Sequence, residues 1–188
     1  MSAEQVRMGV MKLIGIRSSG SREELAARVP KAWRELASRL GEIENVVDPG
    51  VFYGVVPEAD HHKLEGQGSY TYLCCARVRS GRSVPKGMES LIVPAQRYAQ
   101  VTVRGGTAEL TKATIELARF FAQNALAPNK KAFGLERFDD AATPPPRSVA
   151  GLAIRLDQVG HDPSEVAPRQ VDAERTGDAR PHVLLAAL

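Results

Sequence analysis

The sequence predicts an α+β fold in which one module is used twice, and two observations support this. In each half, a strand pattern is followed by a helix pattern and then by two further strand patterns. Gly20 and Gly105 also have the same separation as Leu25 and Leu110 (105 − 20 and 110 − 25), and the two leucines have the same place in the two helical segments. We therefore interpret the chain as a duplicated strand–helix–strand–strand module.

The strand patterns are rich in β-branched and aromatic residues and are bounded by glycine and proline turns. The one from Met88 to Val103 joins the two halves, and it is expected to be a single long strand. An irregularity at Met11 suggests a β-bulge in the first strand. In the strands after the helices, Val55 and Phe138 are a further matched pair, with nearly the same separation (138 − 55). The predicted strands cover residues 6–17, 51–56, 70–79, 88–103, 132–138 and 149–156.

The helix patterns repeat their apolar residues with the period of an α-helix. Ser21 and Glu24 form an S-x-x-E capping box at the start of the first one. Pro30 has no amide hydrogen, so we expect one short helix to end before it and a second to begin at it. Thr107 is the expected cap of the helix in the second half.

Composition and charge narrow the classes of function. The chain has 188 residues, 25 of them basic and 22 acidic, and its net charge of +3 is not concentrated in any Lys/Arg run. We therefore expect no direct contact with nucleic acid. No stretch has the length and apolarity of a membrane span or the apolar core of a signal peptide, which predicts a cytoplasmic protein with no membrane contact. Cys74 and Cys75 are neighbours on a predicted strand and are expected to be free, buried thiols.

Two further segments give little support to a specific function. Asp60, His61 and His62 are adjacent, an arrangement that rarely suits one metal ion, and no partner stands at a zinc spacing, so neither a metal site nor a cofactor is predicted. Residues 159–188 carry mixed charges and three prolines, and we expect them to form a mobile tail. The apolar run 183–188 at its end could dock on the body or on a partner.

Four stretches, taken together, resemble the GyrI-like effector-binding domain, which is also the ligand-sensing half of AraC-type and MerR-type regulators. The resemblance is to the stand-alone, integron-cassette-like branch and covers residues 6–158. It implies a domain over residues 1–158, with repeat 1 at about 6–80 and repeat 2 at about 84–158. The stretches are Val84–Glu89, Ile92–Gly105, Val29–Leu36 together with Val51–Val55, and Leu135–Asp139.

The resemblance implies a pseudo-two-fold antiparallel sheet with helices on one face and a ligand cleft between the modules. The implied function is a stand-alone sensor or sequestering protein for hydrophobic, cationic small molecules. No helix-turn-helix precedes residue 6, so we expect no DNA-binding domain. Two alternatives stay open: a hydrolase that opens strained cyclopropane rings with a glutamate-assisted water, and a protein-interaction module of the gyrase-inhibitor type. A protein partner or a homodimer fits each of these.

Glu136 is the first candidate for the site, because it shares a strand face with Phe138. A buried carboxylate beside an aromatic ring can bind an organic cation, and its raised pKa would also suit a catalytic acid or base if the protein is an enzyme. From the residue pattern alone, a solvated surface glutamate is the alternative. The predicted ligand-binding set also contains four residues for which core packing or a wet sheet surface is the alternative: Trp33, Tyr53, Tyr72 and Tyr98.

Overall fold

Eight strands and two α-helices lie in the part of the chain that this computed structural model describes, namely residues 2–57, 68–104, 107–127, 129, 131–139 and 181–187. The elements of the first half are β1 (Ala3–Met8), β2 (Met11–Gly20), α1 (Arg22–Ser38), β3 (Val51–Val56) and β4 (Tyr70–Val78). Those of the second half are β5 (Glu89–Val93), β6 (Gln96–Arg104), α2 (Thr107–Gln123), β7 (Gly134–Asp139) and β8 (Pro181–Ala187). Neither helix in these ranges is both long and apolar enough to cross a membrane.

The strands form one antiparallel sheet with the order β1-β6-β8-β7-β3-β4-β2-β5. Exchanging the halves (β1 with β5, β2 with β6, β3 with β7, β4 with β8) leaves this order unchanged when it is read from the other end. A pseudo-two-fold axis therefore passes between β3 and β7. The starts of the two helices are as many residues apart as their ends (107 − 22 and 123 − 38), and this separation equals that of Gly20 and Gly105. The predicted duplicated α+β fold is confirmed.

The register of the sheet corrects one matched pair. The offset between the helices also relates each residue of β2 to one of β6. The pairing of β2 with β4 and β3, and of β6 with β8 and β7, then makes Gly54 the counterpart of Glu136. These two residues are also direct partners across β3 and β7. Val55 and Phe138 instead belong to separate cores on opposite faces of the sheet. A rotation about an axis perpendicular to the sheet keeps each side chain on its own face, so residues on opposite faces cannot be counterparts. The match of Val55 with Phe138 was therefore wrong.

Both helices lie on the same face of the sheet, as predicted. Phe138 and Val103 are both backbone partners of His182 in β8, so they share a face. Phe138 packs in the core beneath α1, and Val103 packs in the core beneath α2. The helix-covered face is therefore continuous across the pseudo-two-fold axis.

The opposite face is covered by neither of the two described helices and is buried by the curvature of the sheet. The two-residue links 9–10 and 94–95 join strands from opposite ends of the sheet order, which requires the sheet to curl until its ends approach each other. The concave face then encloses a second core. Its buried members are Met11, Leu13, Tyr53, Val55, Leu73, Cys75, Val93, Tyr98 and Leu135. Cys74 belongs to the other core, and both cysteines are free and buried, as predicted.

Three predicted element boundaries were wrong, and two of them involve proline. α1 is a single helix that contains Pro30, because buried residues on both sides of the proline, Val29 and Trp33, hold it against the sheet. The predicted long strand is two strands, β5 and β6, since Pro94 has no amide hydrogen and lies in the link that changes their place in the sheet. The predicted bulge near Met11 is the break between β1 and β2.

The C-terminal end of the chain also differs from the prediction. Residues 181–187, in the segment expected to be a mobile tail, form β8 and pair with β6 on one side and β7 on the other. The alternative that the apolar run docks on the body is therefore the one that holds for residues 183–187. The run Val183–Leu188 is wholly apolar in sequence, a composition that suits an inner strand. The predicted strand 149–156 and the Asp60-His61-His62 segment lie outside the described residues.

Candidate functional site

Glu136 lies on β7 beside the pseudo-two-fold axis, and only 4% of it is exposed. Its side chain is on the helix-covered face, with Phe138, as the strand alternation predicted. The hydroxyl of Tyr72 donates a hydrogen bond of 2.6 Å to Oε2 of Glu136, and this bond is buried. A hydroxyl-to-carboxylate bond of this length is among the stronger side-chain hydrogen bonds when the acceptor is ionised.

Gly54 is what allows this bond to form. Tyr72 is on β4 and Glu136 is on β7, so the tyrosine ring has to cross β3, which lies between them. A Cβ at position 54 would lie 1.9 Å from the Tyr72 hydroxyl oxygen and 2.6 Å from Cζ. A glycine in the middle of β3 therefore gives the ring its path to the carboxylate.

Aromatic rings enclose the Tyr72–Glu136 pair from the side of α1. The ring of Trp33 makes edge-on contacts with Phe52, Tyr72 and Phe138, at centroid distances of 6.0, 6.3 and 5.4 Å. Such T-shaped contacts suit the ring quadrupoles. Trp33 is held there by the apolar stripe of α1, which is buried against the sheet at Leu25, Val29, Ala32 and Leu36.

The buried position changes the acid–base chemistry of this cluster. Burial raises the pKa of Glu136 to about 7, and the hydrogen bond from Tyr72 acts in the opposite direction. Burial, together with the neighbouring Glu136, raises the pKa of Tyr72 well above its ordinary value, and burial also raises that of the Cys74 thiol. Among the described residues, no ion pair includes Glu136. The charge of Glu136 therefore changes near neutral pH.

The structure brings together four of the six predicted ligand-binding residues: Glu136, Phe138, Trp33 and Tyr72. It does not bring Tyr53 or Tyr98 to them, because both point into the core on the concave face, where they are 4% and 1% exposed. Tyr53 stands between Phe52 and Gly54 on β3, and strand alternation turns its side chain away from Glu136.

Sequence reasoning missed two residues of the cluster, Phe52 and Gly54. Phe52 is the partner of Phe138 in the β3–β7 ladder and contacts Trp33. For Gly54 there was a signal, since a glycine inside a strand pattern often marks the close approach of another group. What the sequence did not provide was the identity of that group, which depends on the register between β3, β4 and β7.

A surface groove lies elsewhere on the molecule. Its volume is about 470 Å³, and it is lined by Arg7, Ala95, Gln96 and Arg97 at the β1–β6 end of the sheet. No residue of the Glu136 cluster lines it. The groove and the buried carboxylate are thus separate features, and only the second combines charge with aromatic walls.

Comparison with known proteins gives a family match over most of the chain. The family model described as the GyrI-like small molecule binding domain matches residues 1–155, a range that ends before β8. The transcriptional regulator BrlR of Pseudomonas aeruginosa is 27% identical over 159 residues, which are 83% of this chain and 56% of that protein. The chain therefore spans little more than half the length of this relative.

Solved structures share the fold at low sequence identity. SAV2435 bound to tetraphenylphosphonium has a TM-score of 0.61 at 11% identity, with 100% of this chain and 93% of that chain covered. A putative transcription regulation protein of Staphylococcus aureus MU50 has a TM-score of 0.59 at 12% identity, with 100% and 97% covered. The integron cassette protein VCH_CASS2 of Vibrio cholerae has a TM-score of 0.54 at 9% identity, with 99% and 95% covered. At these identities the likeness concerns the fold alone.

Proposed function

Because this chain belongs to the GyrI-like small molecule binding domain family, we propose that it binds lipophilic organic cations and that Glu136 is their counter-charge. The observation that carries the proposal is the burial of Glu136, which has a hydroxyl donor but no cationic partner among the described residues. A buried carboxylate without a cation loses most of its hydration and recovers little of that loss. A cationic ligand would supply the missing partner.

The surrounding rings support the same ligand class. Trp33, Phe52, Tyr72 and Phe138 present aromatic surface next to the carboxylate. Aromatic faces attract cations and also accept apolar substituents, so the cluster favours a charge that is carried inside a hydrophobic body. Tetraphenylphosphonium, the ligand of the SAV2435 structure, has this chemistry and is a suitable first probe.

The packing of the cluster implies that binding is coupled to a rearrangement. Glu136 is 4% exposed, and Trp33 and Tyr72 beside it are each 2% exposed, so a ligand reaches the carboxylate only when part of this cluster moves aside. The observed affinity is then the intrinsic affinity multiplied by the fraction of molecules in the open arrangement. A site that opens on binding suits a sensor, and the description of BrlR as a transcriptional regulator supports sensing over simple sequestration.

Isothermal titration with tetraphenylphosphonium at pH 8 tests the proposal, with Glu136→Gln as the decisive variant. We expect binding to the wild type, a large loss of affinity in Glu136→Gln, and no binding of tetraphenylborate, which has a similar shape and the opposite charge. Glu44→Gln, at an exposed glutamate, is the matched control and should bind as the wild type does. A thermal-shift experiment should show about 2.7 kcal/mol of added stability at a hundredfold excess of ligand over Kd. Equal binding by the wild type and Glu136→Gln would remove Glu136 as the counter-charge.

Ring-opening hydrolysis is the second candidate, because a carboxyl group whose pKa is about 7 suits general acid–base catalysis. In this reaction the oxygen of water would form a bond to a ring carbon, the strained C–C bond would break, and a proton would pass to the ring-derived carbon. Incubation with a cyclopropane-bearing alkylator, followed by mass spectrometry, would then give a product one water molecule heavier. Full recovery of the substrate at a high protein concentration would exclude this activity for that substrate.

A further inference from the structure

The indole nitrogen of Trp33 is a buried donor whose hydrogen-bonding capacity is unused. Trp33 is 2% exposed, and within the described residues its Nε1 has no hydrogen-bond acceptor. An indole N–H can only donate, and a buried donor without an acceptor costs free energy. Most buried polar groups have a partner, so this one calls for an explanation.

The ring that carries this donor belongs to the Glu136 cluster. The three rings around Trp33 belong to Phe52, Tyr72 and Phe138, and Tyr72 is the residue that donates to Glu136. One side-chain cluster therefore contains an ionisable acceptor that lacks a cation and a neutral donor that lacks an acceptor. A ligand complementary to both would carry a cationic centre and, near it, an uncharged acceptor.

We propose that Trp33 Nε1–H donates a hydrogen bond to an uncharged oxygen of the ligand, so that the preferred ligands are lipophilic cations that carry a carbonyl or ether oxygen. This inference rests on the proposed function and makes it more specific. Tetraphenylphosphonium has the charge but no such acceptor, and it would leave the indole N–H unpaired. A site built to donate a hydrogen bond discriminates against ligands that lack the acceptor.

Two small probes that differ in one carbonyl oxygen test the inference. They are phenacyltrimethylammonium and its deoxy analogue (2-phenylethyl)trimethylammonium, and their Kd values are measured by titration calorimetry at pH 8. For the wild type we expect the ketone to bind about three- to tenfold more tightly, the range that one net hydrogen bond gives. Trp33→Phe keeps an aromatic ring and removes the N–H, so this ratio should fall to one or below. Glu136→Gln should weaken both probes and preserve the ratio.

A second measurement on the wild type needs no variant. Trp33 is the only tryptophan of the chain, so a ¹⁵N-labelled sample gives one indole N–H resonance. The ketone should move this resonance downfield relative to the deoxy probe. If both probes bind with equal Kd values and equal indole shifts, the inference is overturned and the proposed function stands. If neither probe nor tetraphenylphosphonium binds, the proposed function is overturned and the inference with it.

Discussion

Gly54→Ala tests whether the path of Tyr72 across β3 holds the site together. The added Cβ would lie 1.9 Å from the Tyr72 hydroxyl oxygen, whereas ordinary contact begins at 3.4 Å, so the oxygen has to retreat. The same Cβ would lie 3.1 Å from Oε2 of Glu136, and the present hydrogen bond is 2.6 Å long. If the oxygen moves straight away from the methyl group, the triangle of these distances stretches the bond to about 3.1 Å, which is outside the usual range for O–H···O bonds.

The expected cost combines strain with a weakened bond. Inserting a methyl group into a packed interior costs about 1–3 kcal/mol, and weakening a hydrogen bond to a charged group adds about 1 kcal/mol. We therefore expect Gly54→Ala to lower the free energy of unfolding at pH 8 by about 2–4 kcal/mol, measured by urea denaturation. The pKa of Glu136 should also rise, because the bond from Tyr72 lowers it.

Gly50→Ala is the matched control for this substitution. Nothing lies within 4 Å of a Cβ at position 50, and the residue does not have a positive φ. This variant should be neutral or slightly more stable, by about 0.4–1 kcal/mol, because alanine restricts the unfolded chain. If Gly54→Ala and Gly50→Ala unfolded alike, the close approach of Tyr72 to β3 would not be what shapes the site.

Three further predictions concern the charge of Glu136. First, its pKa in the folded protein is about 7 against an ordinary value of 4.5, so the contribution of Glu136 to the free energy of unfolding should be largest below pH 4.5 and fall by about 3 kcal/mol as the pH rises through 7. Chemical denaturation measures this contribution as the difference between the wild type and Glu136→Gln, and a difference that does not change with pH would contradict the prediction. Second, Tyr72→Phe should raise the pKa of Glu136 and cost about 1.5–3 kcal/mol at pH 8, where the lost bond involves a carboxylate, and less at pH 5; a cost independent of pH would contradict the assignment. Third, the affinity for tetraphenylphosphonium should increase about tenfold between pH 6 and pH 8, as the ionised fraction does, with proton release on binding measured by calorimetry in two buffers; a flat profile would refute a role for this carboxylate.

The sequence predicted what depends on local pattern and missed what depends on register. Alternation along β7 placed Glu136 and Phe138 on one face, and helical spacing placed Trp33 on the buried side of α1. The partnership of Tyr72 with Glu136 joins strands that are two places apart in the sheet, so it required the β4–β3–β7 order. Tyr53 was predicted to be a site residue and lies on β3, the counterpart of β7, but equivalent strands do not place every residue on the same face.

The duplication accounts for the position of the site, and its asymmetry accounts for the chemistry there. Positions 54 and 136 are direct partners at the pseudo-two-fold axis. If the modules were identical and kept the glutamate of position 136, both positions would carry a glutamate. Two carboxylates so near each other in a buried position could not both ionise. The pair would then hold a proton in preference to a cation. Glycine in the first repeat leaves one carboxylate and the space that Tyr72 crosses. The helices differ in the same way, because the helix offset makes Ala118 the counterpart of Trp33, so α2 has alanine where α1 supplies the indole ring. A single negative charge beside aromatic rings is complementary to one organic cation. If the ligand is such a cation, as we propose, then divergence between the repeats, rather than the repeat itself, sets the ligand class.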